Sequence, residues 1–248
     1  MAIPNPSSGS LVERPAATPT WGLGDVIVGW LLAFGLAALV GGMVVAAAGY
    51  SDHPKDLPLG LAALANLPLW LGFVGVPIWA AAVKGNGWIT DFHVAIRPWD
   101  VPIGIGAGLA AQLIVVNSFG WAVTHFTSYT SDDLSKPAQD LADKAHGAGG
   151  AILFLVIVGL FAPLAEELFF RGLLFRSIEK RSGQWWALGV SSVVFGATHF
   201  EPLQFVPLAI TGAIFGLLVI RTGRLGPSIL AHMAFNCTAV VGLLWLNN

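Results

Sequence analysis

The stretch APLAEELFFRG, residues 162–172, sets two adjacent glutamates and an arginine in the most apolar part of an apolar chain. Of 248 residues, 55% are hydrophobic and only 10% charged, and mean hydropathy is +0.73. Soluble domains usually carry about 25% charged residues, so this composition predicts a polytopic membrane protein. Three charges inside such a chain need a reason.

Working outward, seven apolar runs are candidates to cross a bilayer: roughly 25–49, 58–83, 101–126, 149–175, 185–199, 203–220 and 226–246. A crossing takes about 20 residues, so the fifth and sixth are short. They are expected to be buried in the bundle or only partly spanning. A split in the second or fourth run would raise the count to eight. The predicted fold is all-α, a transmembrane bundle of about seven spans embedded in lipid. Residues 1–20, rich in Pro, Ser, Ala and Thr, read as a disordered tail, not as a signal peptide. Residues 21–148 supply the N-terminal spans and a polar loop, and 149–248 the helical core that carries the chemistry.

Net charge is −2 and no domain is basic, so nucleic acid is not an expected partner. Basic residues set the orientation. With the N-terminus cytoplasmic, that side holds Arg14, Lys84, Arg97, Arg176, Lys180, Arg181, Arg221 and Arg224, and the other side Lys55, Lys136 and Lys144. This bias predicts N-terminus in and C-terminus out. The outer loop around 127–148 is polar and acidic, and its AQDLADKAH portion reads either as a short surface helix or as a solvated connector.

Ionisable groups inside spans usually face a partner or an internal cavity. Glu167 and Arg171 are four apart, on one helical face and in the favoured order, so they are expected to pair. Glu166 points about 100° away and is left available as a general base. Pro163 removes a backbone donor and either kinks the helix beside Glu166 or is simply tolerated. His232 and Asn236 share a helical face, and Phe195 is spaced to pack on His199. His125 closes the third run at the interface. Cys237, the single cysteine, reads as a small packing residue in a helix.

One free Glu, two His and one Asn on three late spans are the parts needed to hydrolyse a peptide bond without a covalent intermediate. No GxSxG is present, and Cys237 has no adjacent base. Glu166, His199 and His232 are also admissible zinc ligands, although HExxH is absent. A non-catalytic membrane partner, or a proton relay, would use the same residue types. No internal repeat supports a transporter.

EELFFR at 166–171, FGATH at 195–199 and HMAFN at 232–236 resemble the EExxxR, FxxxH and HxxxN/D motifs of the CPBP family. That family comprises CAAX prenyl proteases and bacteriocin-processing or immunity membrane proteins, also labelled Abi, and its members are intramembrane glutamic endopeptidases. The motifs occur in order within about the last 100 residues. The resemblance implies that Glu166 activates a water, His199 helps hold it, and His232 with Asn236 forms the oxyanion hole. Glu167, Arg171 and Phe195 would support the site. It implies no metal or other cofactor. The substrate would be a peptide or protein C-terminus, prenylated in the eukaryotic members. One geometric difficulty arises. Counted from the cytoplasmic ends of their spans, His199 is about 21 Å deep and His232 about 9 Å.

Overall fold

The computed structural model describes residues 17–246. Every regular element among them is helical. Six helices are long and apolar enough to cross a membrane: α1 (Leu23–Ala47), α2 (Leu59–Lys84), α3 (Asp100–Phe126), α5 (Gly147–Ser182), α7 (Pro202–Thr222) and α8 (Gly226–Trp245). Between them lie the amphipathic α4 (Ser131–Ala142) and the short α6 (Gln184–Ala197). The chain is a multi-pass integral membrane protein. The second and fourth runs are each one continuous helical segment. At 14 residues, or about 21 Å, α6 falls short of a hydrocarbon core of about 30 Å, which agrees with the expectation that the fifth run is buried in the bundle or only partly spanning. The sixth run, expected to be short as well, is instead the 21-residue α7, because its helix starts at Pro202 and continues to Thr222.

Residues 1–16 of the expected disordered tail lie outside the described residues. The remainder of that stretch is held in place. Ala17 donates to Oδ1 of Asn86 at 2.9 Å, and the Thr20 amide donates to the Lys84 carbonyl at 2.7 Å. In the polar loop the helix runs earlier than AQDLADKAH suggests. Thr130 and Asp133 form a capping box that starts it at Ser131. The Thr130 backbone and hydroxyl donors also hold the Asp133 carboxyl below the ordinary carboxylate range.

The organising element is α5. Its 36 residues extend about 54 Å, well beyond a bilayer core. From Glu167 to Phe175 every residue is buried, because α1, α2, α6 and α8 all pack against it. A helix enclosed on every side must be apolar all round, and LFFRGLLF is, apart from Arg171. Aromatic rings carry this core sideways. Phe73 of α2 stacks on Phe169 with centroids 4.5 Å apart, Phe170 meets Phe195 of α6 edge-on at 5.3 Å, and Phe195 meets His232 of α8 at 5.5 Å.

At the end of α5, Gly183 reverses the chain with φ +84°, a conformation open to glycine and costly for other residues. This turn resolves the depth difficulty. Gly183 stands sixteen residues after Glu167 and sixteen before His199, so the α5–α6 hairpin brings the two to one level. By contrast, α8 begins opposite the middle of α5, where Ser228 in its first turn already bonds Glu167. The spans holding the two histidines therefore start at different heights.

The basic residues gather at one end of the bundle. There Arg176 and His93 both bond the Gly223 carbonyl, Lys180 donates to the Trp21 carbonyl at 2.7 Å, and Arg224 forks onto Asp100.

Small residues bring α3 against α8. A side chain added at Gly104 would meet Leu230 and Pro227, and one at Gly108 would collide with the Ala231 carbonyl and Ala234, whereas Gly106 faces open space. Gly212 and Gly216 are likewise filled from within the chain, by Arg171, Phe195 and Leu188. Gly108→Leu is expected to destabilise the protein by about 1–3 kcal/mol or more, and Gly106→Leu to be nearly neutral. Thermal unfolding of the two variants in detergent checks this.

Candidate active site

The local backbone around Glu166 is unusual. A π-helical stretch at Leu155–Phe161 precedes it and another at Leu168–Leu174 follows. Such widened turns occur often at functional sites. Pro163 explains part of the first. Lacking an N–H, it leaves Gly159, its i−4 partner, and Val158, its i−5 partner, without a donor from position 163. Adjacent residues on α8 supply replacements. Asn236 Nδ2 donates to the Val158 carbonyl at 2.7 Å, and Cys237 Sγ to the Gly159 carbonyl at 3.5 Å. Cys237 therefore does more than fill space, and the two carbonyls that lack a donor from Pro163 are bonded from α8.

Glu167 and Arg171 pair as their spacing predicts. Arg171 Nη1 donates to Glu167 Oε1 at 2.8 Å, and both side chains are 0% exposed. Burying an ion pair costs several kcal/mol per charge unless further polar contacts compensate. Here they do. Arg171 Nη2 donates to the Gly212 carbonyl at 3.0 Å, and its guanidinium lies 4.4 Å from the Phe195 ring centroid. Cation–π contacts of this kind contribute about 2 kcal/mol when desolvated.

Glu167 is more than half of a clamp. His232 Nδ1 approaches its Oε1 at 2.9 Å, and the Ser228 hydroxyl donates to its Oε2 at 2.5 Å. A carboxylate oxygen only accepts, so Nδ1 carries the proton, and the other ring nitrogen faces elsewhere. That nitrogen, Nε2, lies 3.8 Å from Glu166 Oε2. Phe215 covers the His232 ring at 4.9 Å. Glu166 itself is 18% exposed and takes no hydrogen bond among the described residues. The two glutamates thus differ: Glu167 accepts three hydrogen bonds, and Glu166 has only the longer contact with His232 among the described residues.

His199 closes α6. Its Nδ1 donates to the Phe195 carbonyl at 2.8 Å, which leaves Nε2 as an acceptor, and its ring meets the Phe195 ring at 5.0 Å. Phe195 therefore stands between both imidazoles and the guanidinium. No hydrogen bond or ion pair joins His199 to Glu166 among the described residues. Asn236 shares a helical face with His232 but is directed at Val158, one turn further along. Among the described residues no three His, Cys, Asp or Glu side chains are grouped as a metal site.

Motif reading missed Ser228, Phe215 and the Gly212 carbonyl. Ser228 had a signal, since it lies four residues before His232 and eight before Asn236, on the same stripe of α8. The other two come from α7, which carries no charged residue at that depth to mark them.

Glu167→Ala would strand a buried guanidinium and is expected to cost about 3–5 kcal/mol. Asn236→Asp would set an acceptor against the Val158 carbonyl, at a cost of about 1–3 kcal/mol. Denaturant or thermal unfolding in detergent reads both.

Residues 148–238 match the family described as "Type II CAAX prenyl endopeptidase Rce1-like". A Bacillus subtilis (strain 168) protein named "Putative membrane peptidase YdiL" is 28% identical over 89 residues. That similarity covers 36% of this chain and 36% of the relative, so it spans about a third of the relative's length. No solved structure gives a significant match. Residues 148–238, the segment with the EExxxR, FxxxH and HxxxN motifs, are thus similar to the Rce1-like family of type II CAAX prenyl endopeptidases.

Proposed function

We propose that the protein is an intramembrane peptidase in which Glu166 activates a water for attack on a peptide carbonyl. The observation that carries this reading is the asymmetry of the glutamate pair. Glu167 is fully enclosed by Arg171, His232 and Ser228, whereas Glu166 is partly open and faces Nε2 of His232 across 3.8 Å. A base must be free to take a proton, and Glu166 is.

In this mechanism a water lies against Glu166, with His199 accepting through Nε2 to help hold it. Glu166 removes one proton as the oxygen adds to the carbonyl carbon. His232, once it has taken up a solvent proton at Nε2, donates from Nε2 to the oxyanion and keeps that proton when the intermediate collapses. The amide proton of Asn236 not used by Val158 is the second donor. Collapse breaks the C–N bond, and Glu166 returns its proton to the leaving amine. No covalent intermediate forms.

The substrate class that fits is a peptide or protein C-terminus presented at the membrane, a prenylated one included. The gathering of basic residues at one end of the bundle supports a cytoplasmic placement of that end and of the N-terminus. The competing reading, a binding or immunity role on the same fold, makes Glu166 dispensable.

Glu166→Gln is nearly isosteric and is expected to reduce cleavage by about 10²–10⁴-fold without changing thermal unfolding. The assay is a quenched fluorescent peptide library that includes one farnesylated CAAX peptide, with protein in detergent, with and without EDTA. Cleavage that EDTA leaves intact and Glu166→Gln removes is the expected result. Normal cleavage by the variant would overturn the glutamic mechanism, and loss with EDTA would point to a bound metal.

A further inference from the structure

The Glu167 carboxylate is held by three donors on two oxygens. Oε1 receives Arg171 Nη1 at 2.8 Å and His232 Nδ1 at 2.9 Å, whereas Oε2 receives Ser228 alone. The last torsion of a glutamate is broad and roughly two-fold, so one bonded oxygen does not fix the carboxylate plane. A second bond on the other oxygen does. Ser228 is 0% exposed and sits one helical turn before His232, so no solvent competes for its hydroxyl. Serine and histidine thus grip the same carboxylate from successive turns of one helix.

We propose that Ser228 is a positioning residue: by bonding Oε2 it fixes the plane of Glu167, which in turn holds the Nδ1–H form of His232 and aims Nε2 at Glu166. The side chain does not touch the reacting atoms. It acts through Glu167, in the way that an outer partner sets the tautomer and direction of an imidazole. Loss of the hydroxyl leaves Oε2 without a donor in a dry site and frees the carboxylate to turn. His232 then samples both neutral tautomers. The role deepens the hydrolytic reading and rests on it only for its kinetic consequence, because the tautomer is defined without any substrate.

The test is nitrogen NMR of 15N-histidine-labelled full-length protein in detergent micelles, with the His232 signals assigned by their loss in His232→Gln. Wild type is expected to show one neutral tautomer with Nδ1 protonated, and Ser228→Ala a mixture. Ser228→Thr, which keeps the hydroxyl, restores the single form. Unchanged His232 signals in Ser228→Ala overturn the proposal. If Ser228→Ala does not fold, Ser228→Cys takes its place. Its weak donor is expected to give partial mixing, and a wild-type spectrum there equally overturns the assignment.

With a cleavable peptide, kcat of Ser228→Ala is expected to fall about 10–100-fold with KM unchanged, the range seen when an orienting partner is removed. Glu166→Gln in the same assay separates the two ideas. Full activity in Glu166→Gln removes the hydrolytic reading and leaves the tautomer result standing. An inactive Glu166→Gln beside a fully active Ser228→Ala removes the positioning role alone.

Discussion

A guanidinium with no exposed surface, in a helix enclosed on every side, is the constraint from which the rest follows. Arg171 demands a carboxylate, a carbonyl and an aromatic face, and each comes from a different place. Glu167 lies one turn earlier on α5, Gly212 opens its carbonyl on α7, and Phe195 lays its ring against the cation from α6. Satisfying one charge fixes three helices. Glu167, once recruited, has capacity to spare, and that capacity draws in His232 and Ser228 of α8. The candidate site is thus built around the neutralisation of Arg171, and Glu166 is what that arrangement leaves unused.

Much of this was legible in the sequence. Composition indicated the membrane bundle, and the i, i+4 spacing of Glu167 and Arg171 indicated their pair. The separate fate of Glu166 followed from the 100° step between neighbours on a helix. The fifth run was read as too short to cross, and α6 has only 14 residues. What spacing could not show was height. Depth measured along separate spans put His199 and His232 about 12 Å apart, because every span was assumed to start at a common plane. The overshoot of α5 before Gly183 breaks that assumption, and overshoot leaves no mark on an apolar pattern.

Capping chemistry was the other blind spot. The surface helix α4 starts where Thr130 and Asp133 close a box, earlier than apolar content suggests. Polar contacts made by backbone carbonyls are equally silent. Gly212 has no side chain to mark it in the sequence, and only the folded chain reveals that its oxygen faces Arg171. The same holds for Pro163, whose two readings, a kink or a tolerated residue, both omitted the consequence seen here. It releases carbonyls that Asn236 and Cys237 then occupy.

The long reach of α5 also acts as a depth gauge. Arg176 meets Gly223 at the basic end of the bundle, and Glu166 lies ten residues further in, about 15 Å below that level. An extended peptide covers about 3.3–3.6 Å per residue, so on the hydrolytic reading proposed above a chain entering from that end would thread roughly four or five residues inward before its carbonyl reached the carboxylate. A folded domain could not follow. On that reading selection would fall first on slack, with loose tails and unravelled segments admitted and compact surfaces turned away before any side chain is read.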